Sequence, residues 1–282
     1  MIFHQKPITF VGQVHLKVKE LQRSIAFYEK VMGFQVLEQT DSSASFTADG
    51  KTVLLTIEQP ENVIPKQGRT TGLYHFAILL PERSDLAKIV QHFLKIGLHF
   101  GSSDHLVSEA LYLSDPDGNG IEVYRDRQPS EWEWKNGEVK MTVDPLNLED
   151  LLSGLEQETW NGLPAGTVMG HIHLHVADLK KAEDFYLNGL GFEVVCRYGH
   201  QATFISDGKY HHHIALNTWN GVGAPTPPEN SVGLDSYTLI LSDKEKVDKI
   251  VTQLEKLGAS VTKEHDSYVT TDPSGNKIIL KV

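Results

Sequence analysis

The chain has 282 residues, a formal charge of -11, 40% hydrophobic and 22% charged residues, and one cysteine, Cys196. Its length suits one large domain or two ordinary ones. The acidic balance argues against nucleic acid or an anionic membrane as partner, one thiol excludes a disulfide framework or a thiolate cluster, and no apolar run approaches a membrane span. The start Met1-Ile2-Phe3-His4-Gln5-Lys6 lacks the shape of a secretion signal, so a cytoplasmic protein is expected.

Taken in order, the chain repeats itself. Residues 11–18 alternate as a β-strand, with His15 on one face and Val14, Leu16 and Val18 on the other. Leu21, Ile25, Tyr28 and Met32 fall on one helical stripe, and Gly33 stands where the helix should end. Alternating segments near 34–38, 43–47 and 52–57 follow, with Asp49-Gly50 as a hairpin turn. A second unit starts at Gly72-Leu73-Tyr74-His75, has a helix over 85–96 ended by Gly97, and closes with the turn Asp115-Pro116-Asp117-Gly118-Asn119. Residues 127–168 break the repeat. Trp132, Trp134 and Trp160 mark them as an ordered linker, with a short helix expected over 147–155. A third unit starts at Met169-Gly170-His171-Ile172-His173 and matches the first without a gap as far as Gly191. After a loop bearing Pro225, Pro227 and Pro228, a fourth unit has a helix over 244–257 and closes with Asp272-Pro273-Ser274-Gly275-Asn276. The fold class is therefore α+β. Four β-α-β-β-β units are expected to pair in order into two domains, 1–126 and 169–282, joined by the linker 127–168.

If units one and two pair, their first strands meet at the centre of a half-barrel. His15, His75 and Glu122 then converge on its concave face. Two imidazoles and one carboxylate leave other metal positions open, which suits non-haem Fe(II), with Mn²⁺ as the alternative. Each residue also has a structural reading, since a strand histidine is usually core or rim and a strand glutamate usually faces solvent. The second half acts as an internal control. It keeps His173 for His15, but has Ser236 for His75, Ile279 for Glu122 and Val269 for Tyr112. The scaffold thus folds without the second histidine, the glutamate or the tyrosine. A further cluster, His211 and His213 on one face of a strand expected within 210–219, could join His173 in a three-histidine site. Its structural alternative is a polar strand whose imidazoles bond to loops.

Four such units resemble the vicinal oxygen chelate superfamily, also called the glyoxalase/bleomycin-resistance fold, over nearly the whole chain. The run of His105, Leu111, Tyr112, Asp115, Pro116, Gly118 and Glu122 resembles the signature of extradiol, catechol-2,3-type ring-cleaving dioxygenases, with Ser103 as a departure. That resemblance implies Fe(II) on His15, His75 and Glu122, a small aromatic diol and O₂ as substrates, proton handling by His105, and a hydrogen bond from Tyr112 to a reacting oxygen. Two features depart from the family: many two-domain members place the metal in the second domain, and no histidine lies between Leu16 and Tyr74 to act as a further proton carrier. The same fold also hosts glyoxalase- or thiol-transferase-like enzymes using Mn²⁺ or Ni²⁺, and metal-free proteins that bind drugs or aromatic ligands. Open sheet edges would suit a homo-oligomer.

Overall fold

A computed structural model of the chain describes residues 2–155 and 160–282. The four units appear as read. Unit one is β1 (Phe10–Lys17), α1 (Leu21–Lys30), β2 (Gln35–Gln39), β3 (Ser43–Thr47) and β4 (Leu55–Glu58). Unit two is β5 (Gly72–Leu79), α2 (Arg83–Lys95), β6 (Gly101–Asp104), β7 (Ser108–Ser114) and β8 (Gly120–Asp126). The linker contributes β9 (Trp134–Lys135), β10 (Glu138–Val139) and α3 (Leu148–Ser153). Unit three is β11 (Val168–His175), α4 (Leu179–Glu183) continuing as a wider turn over Asp184–Gly189, β12 (Glu193–Tyr198), β13 (Ala202–Ser206) and β14 (Ile214–Asn217). Unit four is β15 (Gly233–Ile240), α5 (Lys244–Lys256), β16 (Val261–Glu264), β17 (Ser267–Thr271) and β18 (Lys277–Lys281).

The stripe Leu21, Ile25, Tyr28 and Met32 is buried as its spacing requires. Gly33, Gly97, Gly191 and Gly258 all take positive φ just beyond their helices.

The units pair across the expected boundary. One eight-stranded mixed sheet runs β16-β17-β18-β15-β1-β4-β3-β2, and the other β12-β13-β14-β11-β5-β8-β7-β6. Unit one therefore shares a sheet with unit four, and unit two with unit three. The expected division into 1–126 and 169–282 does not describe the sheets. The central pairings are antiparallel, β1 with β15 and β5 with β11. One buried cluster takes Val14 and Leu16 of β1, Phe76 and Ile78 of β5, Ile172 and Leu174 of β11, and Tyr237 and Leu239 of β15. Each sheet thus gives one face to a common core and keeps the other for different use. The closing turns tie consecutive units together: Tyr28 Oη donates to Asp115 Oδ2 at 2.9 Å, and Tyr186 Oη to Asp272 Oδ2 at 3.0 Å.

The linker is ordered where described. Trp132 packs with Val107, Val139, Val195 and Tyr210, and Trp160 packs against the main core. No helix among the described residues is long and apolar enough to cross a membrane.

The amino-terminal arm is clasped to unit three. His4 Nε2 donates to the Gly170 carbonyl at 2.8 Å, and His213 Nε2 to the Phe3 carbonyl at 3.0 Å. Burial lowers both imidazoles to a pKa of about 3. A histidine depressed in the folded state gives its full stability above the unfolded pKa near 6.5, and loses it as pH falls below that value. Each should cost about 1.4 kcal/mol at pH 5.5. The thermal midpoint of chelator-treated protein should therefore drop clearly between pH 7.5 and pH 5.5, and a flat profile would contradict the clasp. A second expectation concerns Gly120, beside His75 in the β5–β8 pair. A Cβ there would lie 2.1 Å from the Tyr74 carbonyl oxygen. Gly120→Ala should destabilise the protein by about 1–3 kcal/mol through forced strand separation, read in urea unfolding; an unchanged midpoint would count against this packing.

Candidate metal centre

Strand alternation sets the ligand geometry. On β8, Ile121 and Val123 enter the common core, so Glu122 points from the opposite face. On β5, Phe76 and Ile78 do the same, which leaves His75 and Ala77 beside Glu122; the parallel register is His75 to Gly120 and Ala77 to Glu122. On β11, Ile172 and Leu174 face the core, so His171 and His173 face the other way. The β5–β11 register places His173 opposite His75 and His171 opposite Ala77, with irregularities at Gly170 and at Tyr74. Gly170 is the residue skipped, and a Cβ there would meet the Tyr124 hydroxyl at 2.1 Å.

Three atoms converge as a result. His75 Nε2 lies 3.0 Å from Glu122 Oε2, His171 Nε2 lies 3.1 Å from the same oxygen, and the two nitrogens are 3.3 Å apart. All three residues are buried, at 6%, 3% and 1% exposure. Among the described residues, this is the group of three whose ligand atoms all lie within 4.8 Å of one another. The donor set fits a divalent cation. At metal–ligand distances of about 2.1 Å, these separations correspond to angles of roughly 90–105° at a shared centre, closer to one face of an octahedron than to a tetrahedron.

His15 does not join them. It lies on β1 of the other sheet, with Nε2 3.4 Å from Glu58 Oε2 and Nδ1 3.7 Å from Asp235 Oδ2. The cause is the strand pairing: β1 meets β15, so His15 faces Ser236. The residue matching His171 in unit one is Gln13, two positions before His15, and it pairs with Thr238. The other sheet thus carries Gln13, Ser236 and Ile279 where this one carries His171, His75 and Glu122. This comparison was available in the sequence. His15 and His173 occur in both copies and cannot mark a site present in only one, whereas His171 against Gln13 does.

The electrostatics suit a cation. Burial alone would raise the Glu122 carboxyl, but the neighbouring His171 and hydrogen bonds from His171 and His75 outweigh it and hold the group well below its ordinary value. Burial lowers His171 to about 4, so the ring is neutral at neutral pH, and a cation takes the place of the proton at one nitrogen position without first discharging an imidazolium.

Beside the triad is a cavity of about 480 Å³. His75, Glu122, Tyr112, His105, His173 and His212 line part of it. Tyr112 lies across from Glu122 in the β7–β8 pair. Its phenol is pushed well above its usual pKa by burial and by the Glu122 charge, so it stays protonated. His105 Nε2 is 2.6 Å from the Tyr112 hydroxyl, and His105 Nδ1 is 2.6 Å from the Thr142 carbonyl. A carbonyl only accepts, so Nδ1 carries a proton, and in the neutral ring Nε2 accepts from Tyr112. The linker thus holds His105 in place, reinforced by paired backbone hydrogen bonds between Asp104 and Asp144.

The three-histidine site expected from His173, His211 and His213 does not form. Strand β14 begins only at Ile214, after a turn in which Gly208 and Lys209 take positive φ, so alternation does not govern residues 210–213. His213 turns to the amino-terminal arm, His211 Nε2 donates to Asp126 Oδ1 at 2.7 Å, and His173 Nε2 contacts the Asn217 side chain at 2.9 Å. The cluster member that faces the cavity is His212, whose ring centroid is 4.1 Å from that of His171. Its Nδ1 lies 2.9 Å from His211 Nδ1. Asp126, which also accepts from the Tyr210 hydroxyl at 3.0 Å, thereby anchors a chain from Asp126 through His211 to His212. Burial and the nearby His171 hold His212 well below the usual histidine range, so it is a neutral base.

The chain is 47% identical to "Catechol-2,3-dioxygenase" of Bacillus subtilis (strain 168) over 277 residues, 97% of both chains. It is 30% identical to "Metallothiol transferase FosB" of Lysinibacillus sphaericus (strain C3-41) over 118 residues, 40% of this chain and 80% of that one. A solved structure of a candidate dioxygenase from Bacillus subtilis subsp. subtilis str. 168 superposes with a TM-score of 0.67 at 14% identity, covering 98% of this chain and 86% of that one, which shows a shared fold. Residues 11–123 and 168–280 each match one family description, in agreement with the internal repeat. The chain belongs to the Glyoxalase/Bleomycin resistance protein/Dioxygenase superfamily.

Proposed function

We propose that this chain is an extradiol dioxygenase that holds Fe(II) on His75, Glu122 and His171 and cuts a catechol ring beside its diol with O₂. The observation that carries the proposal is the buried triangle of two imidazole nitrogens and one carboxylate oxygen at 3.0–3.3 Å, opening onto a cavity with Tyr112 and His212. The relative named catechol-2,3-dioxygenase, matched along almost its whole length, supports it. Fe(II) bound there would supply a positive charge that acidifies the diol and one-electron chemistry through which O₂ can react with the ring.

The surrounding residues handle protons. His212, neutral and backed by His211 and Asp126, accepts a proton from a diol hydroxyl on its cavity-facing nitrogen. His212 Nδ1 gives its hydrogen bond to His211 Nδ1, because His211 Nε2 donates to Asp126. Tyr112 and His105 share a proton across 2.6 Å. When His105 Nε2 takes up a further proton it donates to the Tyr112 oxygen instead, and the Tyr112 O–H, still protonated, turns to the cavity and steadies negative charge on a reacting oxygen. Both atoms of O₂ end in the ring-opened product, so no external reductant is consumed.

A second reading, a thiol-transferase- or glyoxalase-like enzyme using Mn²⁺ or Ni²⁺, is motivated by the 30% relative named metallothiol transferase. Activity measured per bound metal separates the two.

Anaerobic reconstitution should load one iron per chain. His171→Gln and Glu122→Gln should lose it, while His15→Gln should keep it; iron loss in the His15 variant with retention in the His171 variant would reverse the ligand assignment. In an oxygen electrode, the iron-loaded protein should consume O₂ with catechol and form a yellow ring-fission product. His212→Gln should bind iron normally yet lower kcat by roughly 10²–10⁴-fold. Full activity in that variant would remove His212 from the mechanism.

A further inference from the structure

The cavity says more about the substrate than that it is a diol, and this inference rests on the dioxygenase reading above. Its volume of about 480 Å³ lies within the roughly 300–1,000 Å³ of sites that enclose drug-sized ligands. A single unsubstituted ring leaves much of that space unfilled. Away from the triad, the walls are apolar: Val107 of the β6–β7 loop, Met141 of the linker and Phe204 of β13. The apolar surface continues outward. Val143, Tyr198 and Trp219 line the cavity and are 68%, 59% and 41% exposed. Isolated exposed hydrophobics are unremarkable, but several around one opening mark a contact surface for an apolar ligand.

Charge points the same way. Among the described lining residues, Arg197 is the one lysine or arginine. It is already committed, with Nη1 at 2.5 Å and Nη2 at 3.1 Å from the two carboxylate oxygens of Glu183, a bidentate pair. A carboxylate on the substituent, away from the triad, would find no free lysine or arginine among the described lining residues. Burial of an unpaired charge against apolar walls is strongly disfavoured.

We infer that the substrate is a catechol bearing an uncharged apolar substituent, alkyl or aryl, seated between Met141, Val107 and Phe204 and reaching the Val143–Tyr198–Trp219 rim. The linker therefore selects the substrate as well as holding His105. Each methylene buried should raise kcat/KM about threefold to fourfold.

The test compares catechol, 4-butylcatechol and 3,4-dihydroxybenzoate on the iron-loaded protein, with anaerobic binding titrations of the same three compounds. The butyl compound should exceed catechol at least tenfold in kcat/KM and in affinity, and the carboxylated one should fall at least tenfold below it. Met141→Arg should narrow or invert the gap between the butyl and carboxylated substrates. Equal handling of catechol and 4-butylcatechol, or preference for the carboxylate, overturns the inference. Failure to turn over any of the three would instead defeat the dioxygenase reading, and the anaerobic binding order would still decide the pocket's preference.

Discussion

The antiparallel pairing of β5 with β11 is the contact on which the candidate site depends. It brings together His75 from unit two and His171 from unit three, residues 96 apart in the chain. Because side chains alternate along a strand, a slip of one residue would turn either imidazole into the apolar core. Irregularities at Gly170 and Tyr74 complete the register, setting His171 opposite Ala77 and His173 opposite His75. Glu122 enters from β8 on the other side of β5, held at that spacing by the close approach of Gly120 to the Tyr74 carbonyl. The price of the arrangement is the burial of one carboxylate and several imidazoles, which is tolerable when a cation or hydrogen bonds satisfy them.

The second sheet shows what the fold requires without a site. It repeats the central antiparallel pairing and the irregularity at Gly12, yet offers Gln13, Ser236 and Ile279 at the three matching positions, and Val269 where the first sheet has Tyr112. Those four differences change together. The closing turns, the helical stripes and the glycines beyond the helices are common to both sheets and serve folding. His15 belongs with that shared set: like His173, it is a strand histidine present in both copies.

Much of this was legible in the sequence. The fourfold repeat, the α+β class, the helices and the turns follow from periodicity and turn chemistry. His75, Glu122 and Tyr112 were marked by the contrast between halves and His105 by the resemblance to the dioxygenase signature, and the structure places all four around one cavity. Two things were hidden. Which first strands pair is a tertiary choice among four similar edges, and local pattern does not decide between unit two with one and unit two with three. Reading the units in order made His15 the third ligand. His212 was hidden because alternation was applied to residues 210–213, which precede the strand; the cavity-facing histidine is the one that alternation had set aside. The lack of histidine between Leu16 and Tyr74 has the same explanation: unit three and not unit one completes the sheet, and unit three brings His212 to the cavity.

Where the metal binds is decided at one point in space. Anomalous diffraction at the iron edge from anaerobically reconstituted crystals should show one strong peak bounded by His75 Nε2, Glu122 Oε2 and His171 Nε2, and none beside His15. A peak at His15, or a triad without iron in protein that has bound it, would contradict the account.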